Sequence, residues 1–282
     1  MYKNSIKTLL VLIFSVLTAM AGLVYAGEKY QLKYNFSKDK TFKYKTILDS
    51  EITQEMMGQE MQILVNGNTV VNMTSEGTDK NGNLILTLQF DSMNVNIKNP
   101  MFDSTLTNPA GVIGKKIRQY LTPFGKIIKT ENVDSLKMPQ FTQQFTRGQG
   151  FLARLPNQPI EIGVPFKQTS KDTMNVMNGN IVAESEIEYT AQGTEKKLGY
   201  NCLKITFKGT INMEGNSKFQ GMNFFIEGDG DIEGTIFFAP QEGLLISHDT
   251  INDLEMTAAM TGQQNLTIPI SQSIKTSTQL VP

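Results

Sequence analysis

Cysteine, histidine and tryptophan are nearly absent from this chain of 282 residues, which has one Cys, one His and no Trp. The single thiol, Cys202, forms no disulfide within the chain, so stability must come from buried apolar surface. Its place beside Leu203 in an alternating stretch is typical of a small packed hydrophobe. Thiol catalysis is therefore not expected, and no lipid-acceptor cysteine follows the leader described below.

Basic stripes are absent too. The chain has 26 Lys and Arg against 27 Asp and Glu. Residues 1–26 contain two lysines and no acid, so their removal takes the formal charge from −1 to −3. Nucleic acids and anionic membrane surfaces attract basic patches. The composition therefore indicates neither of them as a partner.

The first residues have the pattern of a secretory leader. Lys3 and Lys7 precede an apolar run over Leu9–Val24, and small residues end it at Ala26. This order predicts a signal peptide that is cleaved after Ala26. A transmembrane anchor is the alternative, but the run is short for one. We therefore expect an exported chain that is periplasmic or extracellular, is not a lipoprotein, and is not integral to the membrane after cleavage.

Alternating apolar residues predict a β-dominated, antiparallel protein. Over Tyr30–Phe36 every second residue is apolar, which is the period of a half-buried strand. Asn81-Gly82 readily supplies the positive φ of a tight hairpin turn. Such signals recur in both halves, and helix signals are scarce. The expected fold is all-β: strongly curved sheets or two half-barrels, with one or two short helices in a central connector.

The connector divides the chain. It opens near the turn Thr122–Gly125 and closes near Gly163–Phe166, both of which are rich in turn-forming residues. We predict a signal peptide (1–26), an N-terminal antiparallel β half (27–131), a connector with a short helix (132–159) and a C-terminal antiparallel β half (160–282).

Three local irregularities are expected in the N-terminal half. The apolar parity changes between Phe90 and Met93, which predicts a β-bulge at Asp91–Ser92, because one inserted residue keeps the same face buried. Asn66–Asn68, with a central glycine, predicts a turn or bulge. Asn108-Pro109 predicts the start of a short helix.

The connector also holds the candidate ligand-lining residues. Between Asp134 and Ala153, the spacing of Phe141, Phe145 and Leu152 suits one face of a helix. The simpler interpretation is a helix packed on the back of a sheet. The alternative is an amphipathic plug in the mouth of a curved sheet, with Phe141, Phe145, Phe151 and Leu152 facing a cavity.

Four carboxylates alternate along one predicted strand: Glu227, Asp229, Asp231 and Glu233. They would share one face at a spacing of about 7 Å, so some cation should compensate their repulsion. Calcium is one candidate, although its oxygen ligands usually converge from a curled loop. The alternative is a cross-strand ladder with Lys204 and Lys208, or plain exposure to solvent.

No catalytic motif stands out. Ser247-His248-Asp249 matches a catalytic triad in composition alone, because neighbours in a strand point to opposite faces. The sequence has no glycine-rich phosphate loop, no His-Glu-x-x-His and no Cys-x-x-Cys. Loosely paired methionines suit Cu(I) less well than they suit a soft core. We expect no enzymatic activity, no catalytic residue, no bound metal and no cofactor.

Three segments carry a resemblance: Thr-Pro-Phe-Gly-Lys-Ile-Ile (122 to 128), Leu-Pro-Asn-Gln-Pro-Ile-Glu-Ile-Gly-Val-Pro-Phe (155 to 166) and Gly-Thr-Ile-Phe-Phe-Ala-Pro-Gln-Glu-Gly-Leu-Leu (234 to 245). With the leader, they resemble an uncharacterised family of exported bacterial β-rich proteins over nearly the whole mature chain. The last segment is also similar to a hairpin of periplasmic lipoprotein carriers and lipid-binding half-barrel proteins. That similarity implies a curved sheet around a helix-lined apolar cavity, although this chain has no Trp and no matching cavity arginine.

Three functions follow from these patterns. The first is an exported, non-enzymatic binding protein for a lipid or other apolar molecule. The alternative is a structural or surface module that contacts a protein partner and has no small-molecule ligand. The third is an outer-membrane β-barrel, and the lack of Trp and the polar outward positions of strands such as Leu203–Phe207 argue against it.

Overall fold

The structure is a computed structural model that describes residues 28–56, 58–135, 151–176, 179–219, 222–261 and 265–282. The predicted signal peptide lies outside these residues, as do Phe141 and Phe145. Within them the chain is all-β, with no helix. No helix with the length and hydropathy of a membrane span occurs in the described ranges.

Fourteen strands are present among the described residues. They are β1 (Lys29–Tyr30), β2 (Thr41–Met56), β3 (Gln59–Thr78), β4 (Leu84–Lys98), β5 (Asp103–Thr107), β6 (Lys116–Leu121), β7 (Ile127–Asn132), β8 (Ile160–Glu161), β9 (Phe166–Val176), β10 (Gly179–Lys197), β11 (Tyr200–Phe219), β12 (Met222–Ala239), β13 (Leu244–Thr261) and β14 (Leu266–Val281). Several of them are much longer than the usual five or six residues.

Twelve of the strands form one antiparallel sheet in the order β7-β6-β4-β3-β2-β14-β13-β12-β11-β10-β9, and β5 pairs with β4 beside β6. β1 and β8 form a separate two-stranded sheet. Most neighbours in the large sheet are consecutive hairpins. The exceptions are the β4–β6 pair, whose strands have β5 between them in sequence, and the β14–β2 pair, in which the last strand pairs with the second one. The β14–β2 pair joins the N-terminal and C-terminal strands into one continuous sheet.

Side chains connect the two outer strands of the large sheet. The Lys126 Nζ, in the turn before β7, lies 3.0 Å from the Asp172 Oδ1 in β9 and donates to the Lys171 carbonyl oxygen at 3.3 Å. Arg154 donates to the other carboxylate oxygen of Asp172. Burial raises the pKa of Asp172, but these hydrogen bonds and charges outweigh it and hold the pKa below the usual value. The turn before β7 and the Arg154 segment are therefore joined to β9 by ion pairs, which bring the two sides of the curled sheet together.

An extended N-terminal segment fills the space that the curled sheet encloses. The side chains of Leu32, Tyr34 and Phe36 are buried. The Tyr34 N–H donates to the Pro123 carbonyl oxygen of the β6–β7 turn at 2.8 Å, and the Tyr34 hydroxyl donates to the Ala153 carbonyl oxygen at 2.8 Å. The alternation over Tyr30–Phe36 was predicted correctly, but only its first residue belongs to a strand; the rest runs through the core outside the ladder.

Several local predictions are confirmed. The turn before β4 has Gly82 at φ +79°, and its N–H donates to the Asp79 carbonyl oxygen. The β-bulge lies where it was predicted: Val70 pairs with Ser92 and Val71 with Phe90, so Asp91 is the inserted residue. Leu88 and Met93 are consequently both buried on the same face.

Other local predictions are wrong. Gly67 lies in the middle of β3 and pairs with Leu48 on one side and Val95 on the other, without a register shift. The segment after Asn108 makes a single turn, closed by hydrogen bonds to the Pro109 carbonyl oxygen, and does not continue as a helix. The turn is followed by β6, which needs an extended backbone to pair with β4.

The two faces of the large sheet differ in chemistry. We call one the core face; it carries the buried side chains of β4, β6 and β11, among them Leu88, Ile117 and Ile205. The same parity continues along the strands to half-buried residues such as Ile226 and Ile268. We call the opposite one the polar face, because it carries mainly charged, hydroxyl and amide side chains. The candidate site lies on the polar face.

Candidate functional site

A depression of about 710 Å³ lies on the polar face across β10, β11, β12, β13, β14 and β2. We call it the polar trough. Two neighbouring rows of side chains line it, and each row takes one residue from each of these strands. Because strands in a sheet lie about 4.8 Å apart, the register of the ladder fixes the order and spacing of the groups along each row.

The first row is charged. In strand order it is Glu188, Lys208, Glu233, Ile251, Lys275 and Asp49. Each member is directly opposite the next, so the signs of charge follow the order minus, plus, minus, neutral, plus, minus. No ion pair within 4.0 Å includes Lys208 or Lys275 in the described part of the chain. Both ammonium groups therefore face the trough without a bound carboxylate.

Asp49, at the end of this row, has a partner outside it. The Asn66 Nδ2 donates to the Asp49 Oδ1 at 2.8 Å, from β3 on the side away from Lys275. Lys275 is thus directly opposite a carboxylate that is engaged with a neighbouring amide. A second anion can approach the Lys275 ammonium from the trough.

The second row is rich in hydroxyl groups. In strand order it is Thr190, Thr206, Thr235, Asp249, Ser277 and Ile47. A hydroxyl both donates and accepts hydrogen bonds, so this row suits a polar molecule of either type. The Thr206 Oγ1 is already partly engaged, because the Gln192 Nε2 donates to it at 2.7 Å.

The sheet beneath the trough is packed firmly. On the core face, the rings of Phe207 and His248 stack with centroids 5.9 Å apart. The His248 Nε2 and the Thr250 Oγ1 share a hydrogen bond of 2.5 Å. Burial lowers the pKa of His248 to about 4, against a smaller opposite effect of the Asp249 charge. The ring is therefore neutral at pH 7 and packs against Phe207 beneath the trough.

A second depression of about 640 Å³ follows along the same strands, and its charged residues are all acidic. Glu214 lies directly opposite Glu227, and Asp229 lies directly opposite Glu255. Like charges in such pairs repel each other. Among the described residues, no group of three or more His, Cys, Asp or Glu side chains is placed to hold a metal ion.

Of the two lysines in the predicted cross-strand ladder, one lies opposite a carboxylate of β12 and the other does not. Lys208 is directly opposite Glu233, as the hairpin register requires. Lys204 is opposite Phe237, and its Nζ lies 5.8 Å from the centroid of that ring. The remaining three carboxylates of the strand therefore have no lysine opposite them on β11 or β13.

Of the predicted ligand-lining residues, the structure describes Phe151 and Leu152. Both are buried, and the Phe151 ring meets the Phe90 ring edge to face at 6.4 Å between centroids. They lie on the core face, away from the polar trough. Their role in lining a ligand stays a prediction, and Phe141 and Phe145 lie outside the described residues.

The three residues that match a catalytic triad in composition alternate between the two faces of β13. Ser247 and Asp249 are on the polar face, and His248 is on the core face, so the three side chains do not converge. Cys202 is fully buried. Burial also raises the pKa of its thiol, as expected of a packed hydrophobe.

Lys275 and Asp49 were not among the candidate residues from the sequence. Their signal is weak, because each is a single charge in an alternating strand. Lys275 joins the row through the β13–β14 hairpin, whereas Asp49 joins it only through the pairing of β14 with β2, which brings together residues from the two ends of the chain.

Comparisons with known proteins give no family. No family model matches the chain, and no curated protein matches it. Among solved structures, five chains match. Those described here are all from Pseudomonas aeruginosa.

OccK5 (OpdH) is 8% identical with a TM-score of 0.28, and the match covers 86% of this chain and 99% of that one. OccK2 (OpdF) in complex with glucuronate is 5% identical with a TM-score of 0.26, and covers 87% and 100%. OccK11 (OpdR) is 7% identical with a TM-score of 0.23, and covers 90% and 100%. Likeness at this level assigns neither a fold family nor an activity to this chain.

These comparisons correct the resemblance drawn from sequence. They return OccK proteins, whereas the sequence resemblance implied lipoprotein carriers and lipid-binding half-barrel proteins. The structure agrees with this correction, because no helix lines a cavity among the described residues and the curled sheet is filled by the Leu32–Phe36 segment. The resemblance to carriers is therefore wrong.

The functional expectations attached to that resemblance are corrected with it. A binding protein for lipid or another apolar molecule, and the alternative of a module for a protein partner, find no counterpart in these comparisons, which return OccK structures, and both expectations are corrected. The expected periplasmic or extracellular location, with no part integral to the membrane, is corrected with them.

Proposed function

We propose that this exported chain is a non-catalytic binding protein for a small polar molecule, which it holds in the polar trough. The observation that supports this most directly is the trough itself. Its volume of about 710 Å³ lies within the range of about 300 to 1,000 Å³ of small-molecule sites. Its lining offers hydroxyl groups and both signs of charge on a rigid sheet.

The chemistry of the lining favours a polar ligand. Lys208 and Lys275 lie without an ion pair among the described residues, so a ligand group that accepts their hydrogen bonds meets little competition. Glu188 and Glu233 offer acceptors for donor groups of the same ligand. Charge-assisted hydrogen bonds of this kind are about twice as strong as neutral ones. An apolar molecule would leave all of these groups without partners.

The absence of catalysis is part of the proposal. Nucleophilic catalysis needs a base within hydrogen-bond reach of the nucleophile. His248 is on the opposite face from Ser247, and its ring is engaged with Thr250. The trough therefore binds through its carboxylates, ammonium groups and hydroxyls, and no histidine lies beside a hydroxyl nucleophile on its face among the described residues.

Binding to the purified mature chain tests the proposal. We would titrate a panel of glucuronate, glucose, free amino acids, short peptides and nucleosides, and follow uptake by ligand-detected NMR and by calorimetry. At least one class should bind, and Ser277→Trp, which fills the trough, should weaken that binding at least tenfold.

Gln279→Trp is the matched control. Gln279 is exposed on the same face of the same strand, two residues further on, outside the trough. It should leave binding unchanged. If no member of the panel binds, or if both tryptophan variants weaken binding equally, the trough is not the binding site.

A further inference from the structure

We infer that the ligand of the polar trough is a short zwitterionic molecule, with an ammonium group at one end and a carboxylate at the other, such as a free tripeptide. This inference rests on the proposed function. It comes from the order of three residues in the charged row: Glu233, Ile251 and Lys275.

The spacing of the two charges fits such a ligand. Glu233 and Lys275 are two strands apart, which in a sheet is about 10 Å. An extended tripeptide spans about 10 Å, since each residue contributes about 3.3 to 3.6 Å. Its ammonium and carboxylate can thus reach the Glu233 carboxylate and the Lys275 ammonium at the same time.

The residue between the charges fits the middle of the ligand. Ile251 is directly opposite both Glu233 and Lys275, and its side chain faces the same trough. It offers an apolar surface where a tripeptide has its central residue. Beside it, the hydroxyl row places Thr235 and Ser277 within the lining, where they suit the peptide groups of an extended backbone.

The two charged ends are free to bind. The Lys275 ammonium has no ion pair among the described residues, and Asn66 donates to the Asp49 carboxylate that lies opposite Lys275. Glu233 likewise forms no ion pair within 4.0 Å among the described residues, although Lys208 lies directly opposite it. The site therefore recognises one charge of each sign and has a fixed polarity: amino end at β12, carboxyl end at β14.

Blocking each end of the ligand tests this polarity. The probes are trialanine, N-acetyl-trialanine and trialanine amide, and dissociation constants are measured by calorimetry. Each blocked form should bind the unaltered protein at least tenfold more weakly than trialanine. Lys275→Gln should weaken trialanine at least tenfold but leave trialanine amide unaffected. Glu233→Gln should weaken the binding of trialanine at least tenfold but leave the binding of N-acetyl-trialanine unaffected.

Two further variants keep the test decisive. Lys45→Gln removes a half-buried lysine on the polar face of β2 that lies outside the trough, and it should change none of the dissociation constants. Lys275→Arg keeps the positive charge at the carboxyl end and should retain trialanine binding. This second variant separates the loss of the charge from a disturbance of folding at the same position.

The outcomes separate this inference from the proposed function. If other polar molecules bind in the trough, but the three trialanine probes bind alike or not at all, the zwitterion inference is overturned and the proposed function stands. If no member of the wider panel binds, both are overturned. Selective loss on blocking either end, matched by the corresponding variant, supports both.

Discussion

Replacing Gly209 by alanine should destabilise this protein by about 3 kcal/mol, because the sheet is tightly curved at that point. A Cβ on Gly209 would lie 2.0 Å from the Glu186 carbonyl oxygen and 2.8 Å from the Ile187 Cα. Both atoms belong to the backbone of β10, so no side-chain rotation relieves the contact. Overpacking costs roughly 1 to 3 kcal/mol, and a weakened ladder hydrogen bond adds about 1 kcal/mol.

Gly67→Ala is the matched control. Gly67 is also on the core face of a central strand, but its added Cβ would meet the Leu48 Cβ at 3.7 Å, which is ordinary contact. Alanine favours a strand over glycine and restricts the unfolded chain, so this variant should gain roughly 0.5 kcal/mol. The two substitutions remove the same glycine freedom and differ in the space available.

Urea unfolding and thermal melting of the two variants decide the matter. For a chain of this size, a loss of about 3 kcal/mol lowers the melting temperature by roughly 6 to 12 °C. If Gly209→Ala is no less stable than Gly67→Ala, the strands do not approach as closely as described. The curvature that shapes the trough beside Lys208 would then need another explanation.

Three other changes test the core and the closure of the sheet. The pKa of His248 in the folded protein, about 4, is below its value in the unfolded chain. The stability that the neutral ring contributes to the fold is therefore fully present above about pH 6.5 and is lost as the pH falls through 4. His248→Gln should remove about 2 kcal/mol of that pH dependence in unfolding measurements, allowing for partial exposure of the ring. Asp172→Asn, which loses the Lys126 pair, should speed amide hydrogen exchange in β9; unchanged exchange would mean that the edge contacts contribute nothing. Tyr34→Phe loses a buried hydrogen bond to Ala153 and should cost about 1 kcal/mol in urea unfolding, and no loss would place the N-terminal segment elsewhere.

The features predicted correctly from the sequence are those that local chemistry decides. The Asn81-Gly82 turn follows from the positive φ that glycine tolerates, and the bulge at Asp91 follows from a change in apolar parity. The predicted turn at Gly67 fails for a related reason. The same composition fits a long central strand when both neighbours supply a ladder, and no local signal reports those neighbours.

The N-terminal segment shows a different limit. Alternation in Leu32–Phe36 reports that one side of an extended chain is buried, and it says nothing about hydrogen bonding in a ladder. Here the Asn35 N–H donates at 3.1 Å to the Gly243 carbonyl oxygen, in the β12–β13 turn. An extended segment held by two distant turns has the period of a strand, so the sequence predicted a strand where the structure has an internal segment.

The polar trough depends both on pairings between consecutive strands and on one pairing between strands that are distant in sequence. Residues 219–274 contain no Lys or Arg, so the cations beside β12 and β13 have to come from other strands. Lys208 was found from sequence because β11 and β12 are one hairpin, whereas Asp49 requires the pairing of β14 with β2. The proposed ligand groups, Glu233 and Lys275, depend on two consecutive hairpins only, β12–β13 and β13–β14. Their spacing is therefore set by the most local pairings in the trough and should survive changes at the β14–β2 junction that displace Asp49.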